Sequence, residues 1–381
     1  TIESVLRQDY PHIEYIIMDG GSTDETAEVV REYTGRVRWI SEKDRGQSHA
    51  INKGFRMAKG TIVAWINSDD IILPGAVSRA VAAFERKPRA GAVYGEGYTM
   101  DEHGKLTGRF EATEPFNLWK LVYLSDYILQ QTVYFRKAVL DEVGYLDETL
   151  HYGMDWDILI RIGKRYPLEH VPEYMGCLRE YADAKTFSGG GRRIRELKRM
   201  LQAHTGLRVP PGYVTYGLYS YQQEWRRKLE DSAPAVLRLP AKLAAYLIYL
   251  AAGYLTMRVV RNAQGWYPDG WASPAVKWML PAGVGKAVIR GTVPPGNREL
   301  SGQTLSVFSR GRLLGRQKVE SGDFEMIVPV HSEGGLQPVH FEIRASRYFL
   351  DPRWGKQLSL RRQSYVLQSV EWLVAEEILP A

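Results

Sequence analysis

The chain has 381 residues, 44% of them hydrophobic, enough for two domains with ordinary cores. Its 50 Lys and Arg exceed its 44 Asp and Glu by 6, which suits anionic substrates or acidic lipid better than nucleic acid, and no nucleic-acid-binding motif is present. One cysteine, Cys177, excludes an intrachain disulfide and Cys-rich zinc sites and suits a reducing compartment.

Residues 1–8 read as an amphipathic helix that stops at Asp9-Tyr10-Pro11. No cap precedes it, so the sequence is expected to begin inside a domain. A strand at 14–18 leads into Asp19-Gly20-Gly21-Ser22-Thr23-Asp24, a tight loop with helix-capping residues, and a helix follows over 25–33. A short strand at 37–41, a loop at 42–47 and a helix at 48–58 come next. Residues 61–66 are β-branched, apolar or aromatic and read as a buried strand, which ends in Asn67-Ser68-Asp69-Asp70. Pro74 sits at the start of a helix running to Lys87, and 93–95 form a further strand. This alternation predicts βαβ units and a mostly parallel sheet, an α/β, Rossmann-like arrangement.

Beyond residue 100 the pattern predicts helices at 116–124, 136–143 and 155–165, a strand at 169–178 and a basic helix at 191–204 with a solvated face. Further helices are expected at 213–230 and 235–262. The uncharged centre of the second, 243–257, is shorter than a membrane span needs, so it either packs on the protein or lies at a membrane interface. From the break at 265–271, short alternating runs separated by Gly and Pro predict an all-β sandwich. The expected organisation is a domain at 1–208, a helical connector at 209–264 and a β-sandwich at 265–381.

Polar groups gather at the ends of the predicted elements. Asp19 follows one strand, Asp44, Arg45 and Gln47 follow the next, and Asp69 and Asp70 follow the third. Ligands of open α/β sheets bind at that carboxyl edge. Asp69 and Asp70 read either as a helix-capping turn or as carboxylates for a hard divalent cation. Asp155 and Asp157 open a helix and diverge on it, so only one of them points into a site; Asp155 reads as an N-cap or a base.

Residues 1–205 resemble the family 2 glycosyltransferases, with their GT-A nucleotide-sugar fold. The resemblance rests on Thr1 to Pro11, Ile17-Met18-Asp19-Gly20-Gly21-Ser22-Thr23-Asp24, Asp44-Arg45-Gly46-Gln47, Ala50-Ile51-Asn52-Lys53-Gly54-Phe55, Asn67-Ser68-Asp69-Asp70, Gly144-Tyr145-Leu146-Asp147 and Asp155-Trp156-Asp157, in family order. It implies that Asp19 hydrogen-bonds the donor's base. Asp69 would ligate Mg²⁺ or Mn²⁺ bridging the diphosphate, with Asp70 beside it facing metal or donor sugar. Asp44, Arg45, Gln47 and Asn52 would shape the donor pocket, and Asp155 would be the general base. The implied reaction is inverting transfer from a nucleoside-diphosphate sugar to a saccharide or lipid-linked acceptor, in bacterial surface-polysaccharide synthesis. The expected location is the cytoplasm or the inner face of the cell membrane. A catalytically weak binding or scaffold protein on the same fold is the rival expectation.

Three departures from the family pattern stand out. The family's first strand would precede residue 1. Asn67 stands where many members have Asp. Tyr181 stands near where many have a metal-binding His, with Asp183 as a substitute. The C-terminal β region resembles small modules appended to bacterial cell-surface glycosyltransferases, and Trp271, Trp278 and Trp354 would either stack on sugars or fill its core.

Overall fold

The computed structural model describes residues 1–181, 184–185, 189–214, 216–217, 264, 266, 271–297, 299–330, 338–350 and 362–374. Nearly all of the expected helices at 213–230 and 235–262 lies outside these residues, as do Asp183 and Trp354. The chain forms two units, one of Thr1–Phe116 and Asp126–Gly206, the other of Asn117–Ser125 and Leu207–Ala381.

The first unit alternates as its sequence predicts. Its elements are α1 (Ile2–Leu6), β1 (Ile16–Asp19), α2 (Thr26–Arg31), β2 (Arg38–Ser41), α3 (Gln47–Met57), β3 (Ile62–Val63), β4 (Ile71–Ile72), α4 (Ala76–Arg86), β5 (Ala92–Met100) and β6 (Leu106–Arg109). The chain then gives α5 (Leu118–Tyr123) to the second unit and returns with β7 (Tyr134–Arg136), α6 (Lys137–Val143), α7 (Met154–Gly163), β8 (Leu168–Arg179) and α8 (Gly190–Thr205).

The sheet is mixed rather than mostly parallel. β1 and β2 form a separate parallel pair, with Asp19 opposite Ser41. The larger sheet runs β3-β7-β5-β8-β4, with β6 on β5. Within it only β5 and β8 are parallel; β3, β7, β6 and β4 all pair antiparallel with their neighbours. The turn from Asp101 to Lys105 folds β6 straight back on β5, and so short a connection joins only antiparallel strands.

The expected strand at 61–66 is a second correction, because only Ile62 and Val63 pair. The rest of the run is held by side chains. Trp65 stacks on Phe135 at 5.5 Å and meets Phe55 edge-on at 5.8 Å. Its carbonyl accepts from Gln130 Nε2 at 2.9 Å instead of from a neighbouring strand. The apolar run is therefore held by aromatic packing, and its end is free to turn into Asn67-Ser68-Asp69-Asp70.

The basic helix α8 keeps the solvated face expected of it, at Arg192, Arg195 and Arg199, and has a buried one opposite. Ile194, Leu197, Met200 and Leu201 are buried along one face, and Glu196 is buried with them. Burying one such apolar side chain stabilises by about 1.5–3 kcal/mol, so α8 is a core element that shows Arg192, Arg195 and Arg199 outward.

The second unit holds β9 (Trp271–Ala272), β10 (Ala275–Leu280), β11 (Val284–Val293), β12 (Gln303–Ser309), β13 (Arg312–Val319), β14 (Gly322–Pro329), β15 (Val339–Ala345), β16 (Phe349–Leu350), β17 (Arg362–Gln363) and β18 (Tyr365–Val374). Two antiparallel sheets, β10-β15-β12-β13 and β14-β11-β18-β9, enclose a core that includes Val276, Ile289, Val307, Ile343 and Tyr365. In β14, Phe324, Met326 and Val328 point in while Glu325 and Ile327 point out, the period-two alternation of a half-buried strand. Trp278 is a core residue, 4% exposed and 5.1 Å from Trp266, so it presents no face for stacking on a sugar.

Candidate active site

Three loops at the ends of β1, β2 and β3 carry the predicted polar residues, and short-range chemistry gives each its shape. Asp19 ends β1 and is 7% exposed. Its Oδ1 accepts from the Ser22 N–H at 3.0 Å and from Ser22 Oγ at 2.6 Å, and its Oδ2 from Ser41 Oγ at 2.5 Å. Burial pushes its acidity down, but the hydrogen bonds from Ser22 and Ser41 outweigh burial and hold the carboxyl below its ordinary value. Asp19 is thus an ionised acid fixed at a strand end. The next loop packs against it: a Cβ on Gly20 would lie 2.6 Å from Asp44 Oδ2, so this approach requires glycine.

Asp44 Oδ1 accepts from the Gly46 N–H at 2.8 Å and shapes the entry to α3. Gly46 has φ of 125°, a conformation that side chains resist, and it is the N-cap of α3. The turn delivers Gln47 into the site. Gln47 Oε1 accepts from Lys185 Nζ at 2.7 Å, and Gln47 Nε2 donates to Asn67 Oδ1 at 2.7 Å. Asn67 Nδ2 in turn donates to Asp70 Oδ2 at 3.0 Å. This chain of amides ties the segment after β8, the start of α3 and the Asn67–Asp70 loop into one site. Arg45 turns outward and pairs with Glu148 at 2.6 Å on the rim of a shallow cleft that Gln47, His151 and Lys185 also line.

Asn52 does not reach the cleft. It is 1% exposed, and its amide is used on the loop after α6: Nδ2 donates to the Leu146 carbonyl at 2.9 Å and Oδ1 accepts from the Leu146 N–H at 3.0 Å. It braces that loop, which carries Glu148.

The two neighbouring aspartates have different surroundings. Asp70 is 1% exposed, and both its oxygens are taken: Oδ1 by the Arg179 N–H at 2.9 Å, Oδ2 by Asn67 and by Gln131 Nε2 at 2.7 Å. Burial raises its pKa, against the pull of those donors. Asp70 therefore locks the loop onto the end of β8. Asp69 is half-buried; its Oδ2 accepts from Tyr181 at 2.9 Å, and its Oδ1 has no hydrogen-bond partner among the described residues. Arg179 Nε donates to the Asp69 backbone carbonyl at 2.7 Å, which holds the loop there.

No group of three His, Cys, Asp or Glu is placed to hold a metal among the described residues. The donor set still fits one kind of ion. A single carboxylate with an open oxygen, at a loop beside cationic and amide groups, matches Mg²⁺ or Mn²⁺ that takes its remaining ligands from phosphate and water.

Asp155 lies in the first turn of α7, and the N-cap of that helix is Gly153, not Asp155. Its Oδ1 accepts from the Trp156 N–H at 2.9 Å. Burial raises its pKa, while Arg193 and Lys185 pull the other way. Asp126, which no sequence motif marks, faces Asp155: burial first, then the charge of Asp155, pushes its own pKa up. Asp157 diverges as predicted and turns to structure, accepting from Arg161 Nε at 2.7 Å and pairing with His204 Nε2 at 2.8 Å. Lys185, Arg179, Gln131 and Asp126 were not singled out by spacing, since each is brought in by a long-range contact. The one available signal was that Arg179 and Lys185 flank Tyr181, the position where a His is common among the proteins the sequence resembles.

Residues 1–139 match the family model described as Glycosyl transferase family 2. Chondroitin synthase of Escherichia coli is 27% identical over 173 residues, 45% of this chain and 25% of that protein. Poly-beta-1,6-N-acetyl-D-glucosamine synthase of Staphylococcus epidermidis is 27% identical over 157 residues, 39% of this chain and 38% of that protein. A PGL/p-HBAD biosynthesis glycosyltransferase of Mycobacterium bovis is 28% identical over 166 residues, 42% of this chain and 62% of that protein. The chain thus spans about a quarter of the length of the first of these relatives. Among solved structures, S. aureus TarS 1–349 in complex with UDP-GlcNAc aligns over 66% of this chain and 76% of that one, at 15% identity and a TM-score of 0.43.

Proposed function

We propose that this chain, whose residues 1–139 match the family 2 glycosyltransferase model, transfers a sugar from a nucleoside-diphosphate donor to a saccharide or lipid-linked acceptor in bacterial surface-polysaccharide synthesis, with inversion. One observation carries the reading: the three carboxylates have divided roles. Asp70 is spent on the loop, Asp69 keeps an oxygen open among the described residues, and Asp155 is half-buried and more basic than usual.

In this reading Asp155 takes the proton from an acceptor hydroxyl. That oxygen attacks the anomeric carbon from the face opposite the diphosphate, the old C–O bond breaks, and its electron pair leaves with the diphosphate. Asp69 would hold a divalent cation, which when bound offsets the charge growing on the leaving group. Lys185 and Gln47 border the same path and would hold the diphosphate by charge and amide. Asp19, kept ionised at the end of β1, would accept from the donor's base. The names of the relatives that share this region, a chondroitin synthase and a poly-N-acetylglucosamine synthase, support a surface polysaccharide as the product. The bacterial inner membrane face suits such an acceptor. No helix among the described residues is long and apolar enough to cross a membrane.

The test is calorimetric. UDP, GDP and dTDP are titrated into the 381-residue chain with and without Mn²⁺. At least one is expected to bind with Mn²⁺ present. Failure of all three would return the chain to the scaffold reading. Asp155→Asn is expected to keep that binding and lose transfer; equal loss of both would make Asp155 structural.

A further inference from the structure

We infer that Glu196, on the face of α8 that meets α7, is the positioning residue that holds the loop entering α7 and so sets where Asp155 stands as the base. The inference rests on the role of Asp155 proposed above. The first N–H groups of a helix are ordinarily met by the N-cap side chain; Gly153 has none, and Asp155 Oδ1 takes the Trp156 N–H. The loop just before α7 is held from another helix. Glu196 Oε2 accepts from the His151 N–H at 2.9 Å, and Oε1 from the Tyr152 N–H at 2.6 Å and the Gly153 N–H at 3.1 Å. All three donors lie immediately before α7, and Gly153 is its N-cap with no side-chain cap of its own. Glu196 is 6% exposed, so this carboxylate is committed to the loop.

Packing fixes the same contact independently. A Cβ on Gly153 would lie 2.8 Å from Leu197 Cδ2 and 3.2 Å from Met200 Cε. A Cβ on Gly189 would lie 2.6 Å from the ring of Tyr152. Two glycines let α8 and the 151–153 loop approach until Glu196 reaches three amides at once. The result for Asp155 is concrete. Its Oδ1 accepts from the Trp156 N–H at 2.9 Å, and its own backbone N–H also donates to the carboxylate. Around it stand Asp126, Lys185 and Arg193, the last on α8 one turn before Glu196. Helix α8 thus sets both the position of the base and part of its charge environment.

The experiment compares Glu196→Gln with His204→Ala, which breaks the other tie between α8 and α7, at Asp157. Glu196→Gln keeps the size but sets an NH₂ group against backbone donors. Release of nucleoside diphosphate from UDP-N-acetylglucosamine and GDP-mannose gives kcat and KM, calorimetry gives nucleotide affinity, and amide hydrogen exchange reports on residues 151–156. Glu196→Gln is expected to lower kcat by between about tenfold and a hundredfold, the scale of a displaced catalytic group, with KM and nucleotide affinity within about twofold. Exchange at 151–156 should rise. His204→Ala should lower Tm at least as much and hold kcat within about twofold. With both Asp155→Asn and Glu196→Gln present, the chain should be no slower than with Asp155→Asn alone, because Glu196 acts through Asp155. Should Glu196→Gln not fold, Glu196→Asp keeps the charge with a shorter reach and is expected to fall between it and the unmodified chain. Unchanged kcat in Glu196→Gln, or a kcat loss that tracks Tm in both variants, overturns the inference alone. An active Asp155→Asn, or no diphosphate release by the unmodified chain, overturns the reading beneath it.

Discussion

Asp69 and Asp70 show how much one residue of sequence separation decides. The pair is adjacent in sequence, yet one points into the interior and accepts three hydrogen bonds while the other keeps an oxygen free among the described residues. Asp70→Asn should therefore act as a stability mutation. It places an NH₂ group against buried donors and is expected to cost about 2 kcal/mol, the penalty for a buried polar group left unpaired, read as a shift in urea midpoint. Asp69→Asn should leave that midpoint in place and remove the Mn²⁺ dependence of nucleotide binding by calorimetry. The proposed base has a signature of its own. Burial raises the pKa of Asp155, and a base works only when unprotonated. The acid limb of the kcat profile should thus lie above the ordinary aspartate value, and kcat should fall as pH drops through it. A limb at the ordinary value would mean that Asp155 is solvated during turnover. Positions such as Asp19, Asp69 and Asp155 were legible because strand ends and helix starts are local features. The burial of Asn52, the saturation of Asp70 and the approach of Asp126 and Lys185 were not, because each depends on residues some 30 to over 130 positions away.

At the scale of elements, periodicity placed the helices well and the ladder partners poorly. The run 61–66 has strand composition, but pairing requires a neighbour, and beyond Val63 its place is taken by Gln130 and the ring of Phe135. Composition alone carries no such information. Helix α8 has the solvated arginine face its composition predicts, and the apolar face opposite carries the packing. Glu196 and Met200, four apart and therefore on one face, marked a buried acid on an apolar stripe. Its C-terminal end is tied to α7 through a polar hub. Lys164 Nζ, a donor only, meets His204 Nδ1 at 3.2 Å, so His204 Nε2 carries the proton and donates to Asp157 Oδ1. Burial works to raise the pKa of Asp157, but His204 and Arg161 outweigh it, and the net shift is downward. A carboxylate with a depressed folded pKa contributes stability above its unfolded value and loses it as pH falls through the folded one. Asp157→Asn should cost about 3 kcal/mol near neutral pH, as for a broken buried ion pair. The difference from the unmodified chain should shrink in urea titrations carried below the ordinary aspartate pKa. A pH-independent cost would mean that shape rather than charge holds the two helices.

The molecule as a whole departs from its linear plan in one respect. Sequence composition divides it at 208 and again at 265, where the helical period gives way to alternation. Contacts divide it differently, because Asn117–Ser125 belongs to the unit of the β-sandwich although first-unit sequence lies on both sides of it. The reason is physical. Helix α5 carries Leu118, Trp119, Leu121 and Val122, all buried, and it packs on β10, while Tyr123 meets His340 of β15 edge-on at 6.1 Å. So apolar a turn needs a cover, and it finds one on a strand more than 150 residues later. Asn117 caps the helix through the Lys120 N–H at 3.1 Å, which fixes where it starts. Leu121→Ala should then destabilise the sandwich, although its neighbours in sequence build the other unit. Removing a fully buried leucine side chain costs about 2 to 5 kcal/mol. Amide exchange is expected to rise across β10 and β15 while β5 and β8 keep their protection. If protection is lost at β5 and β8 instead, α5 is a part of the first unit that the sandwich merely borders. For the same reason a fragment cut at 208 should expose the apolar face of α5 and bind a hydrophobic dye, whereas in the whole chain that face is covered.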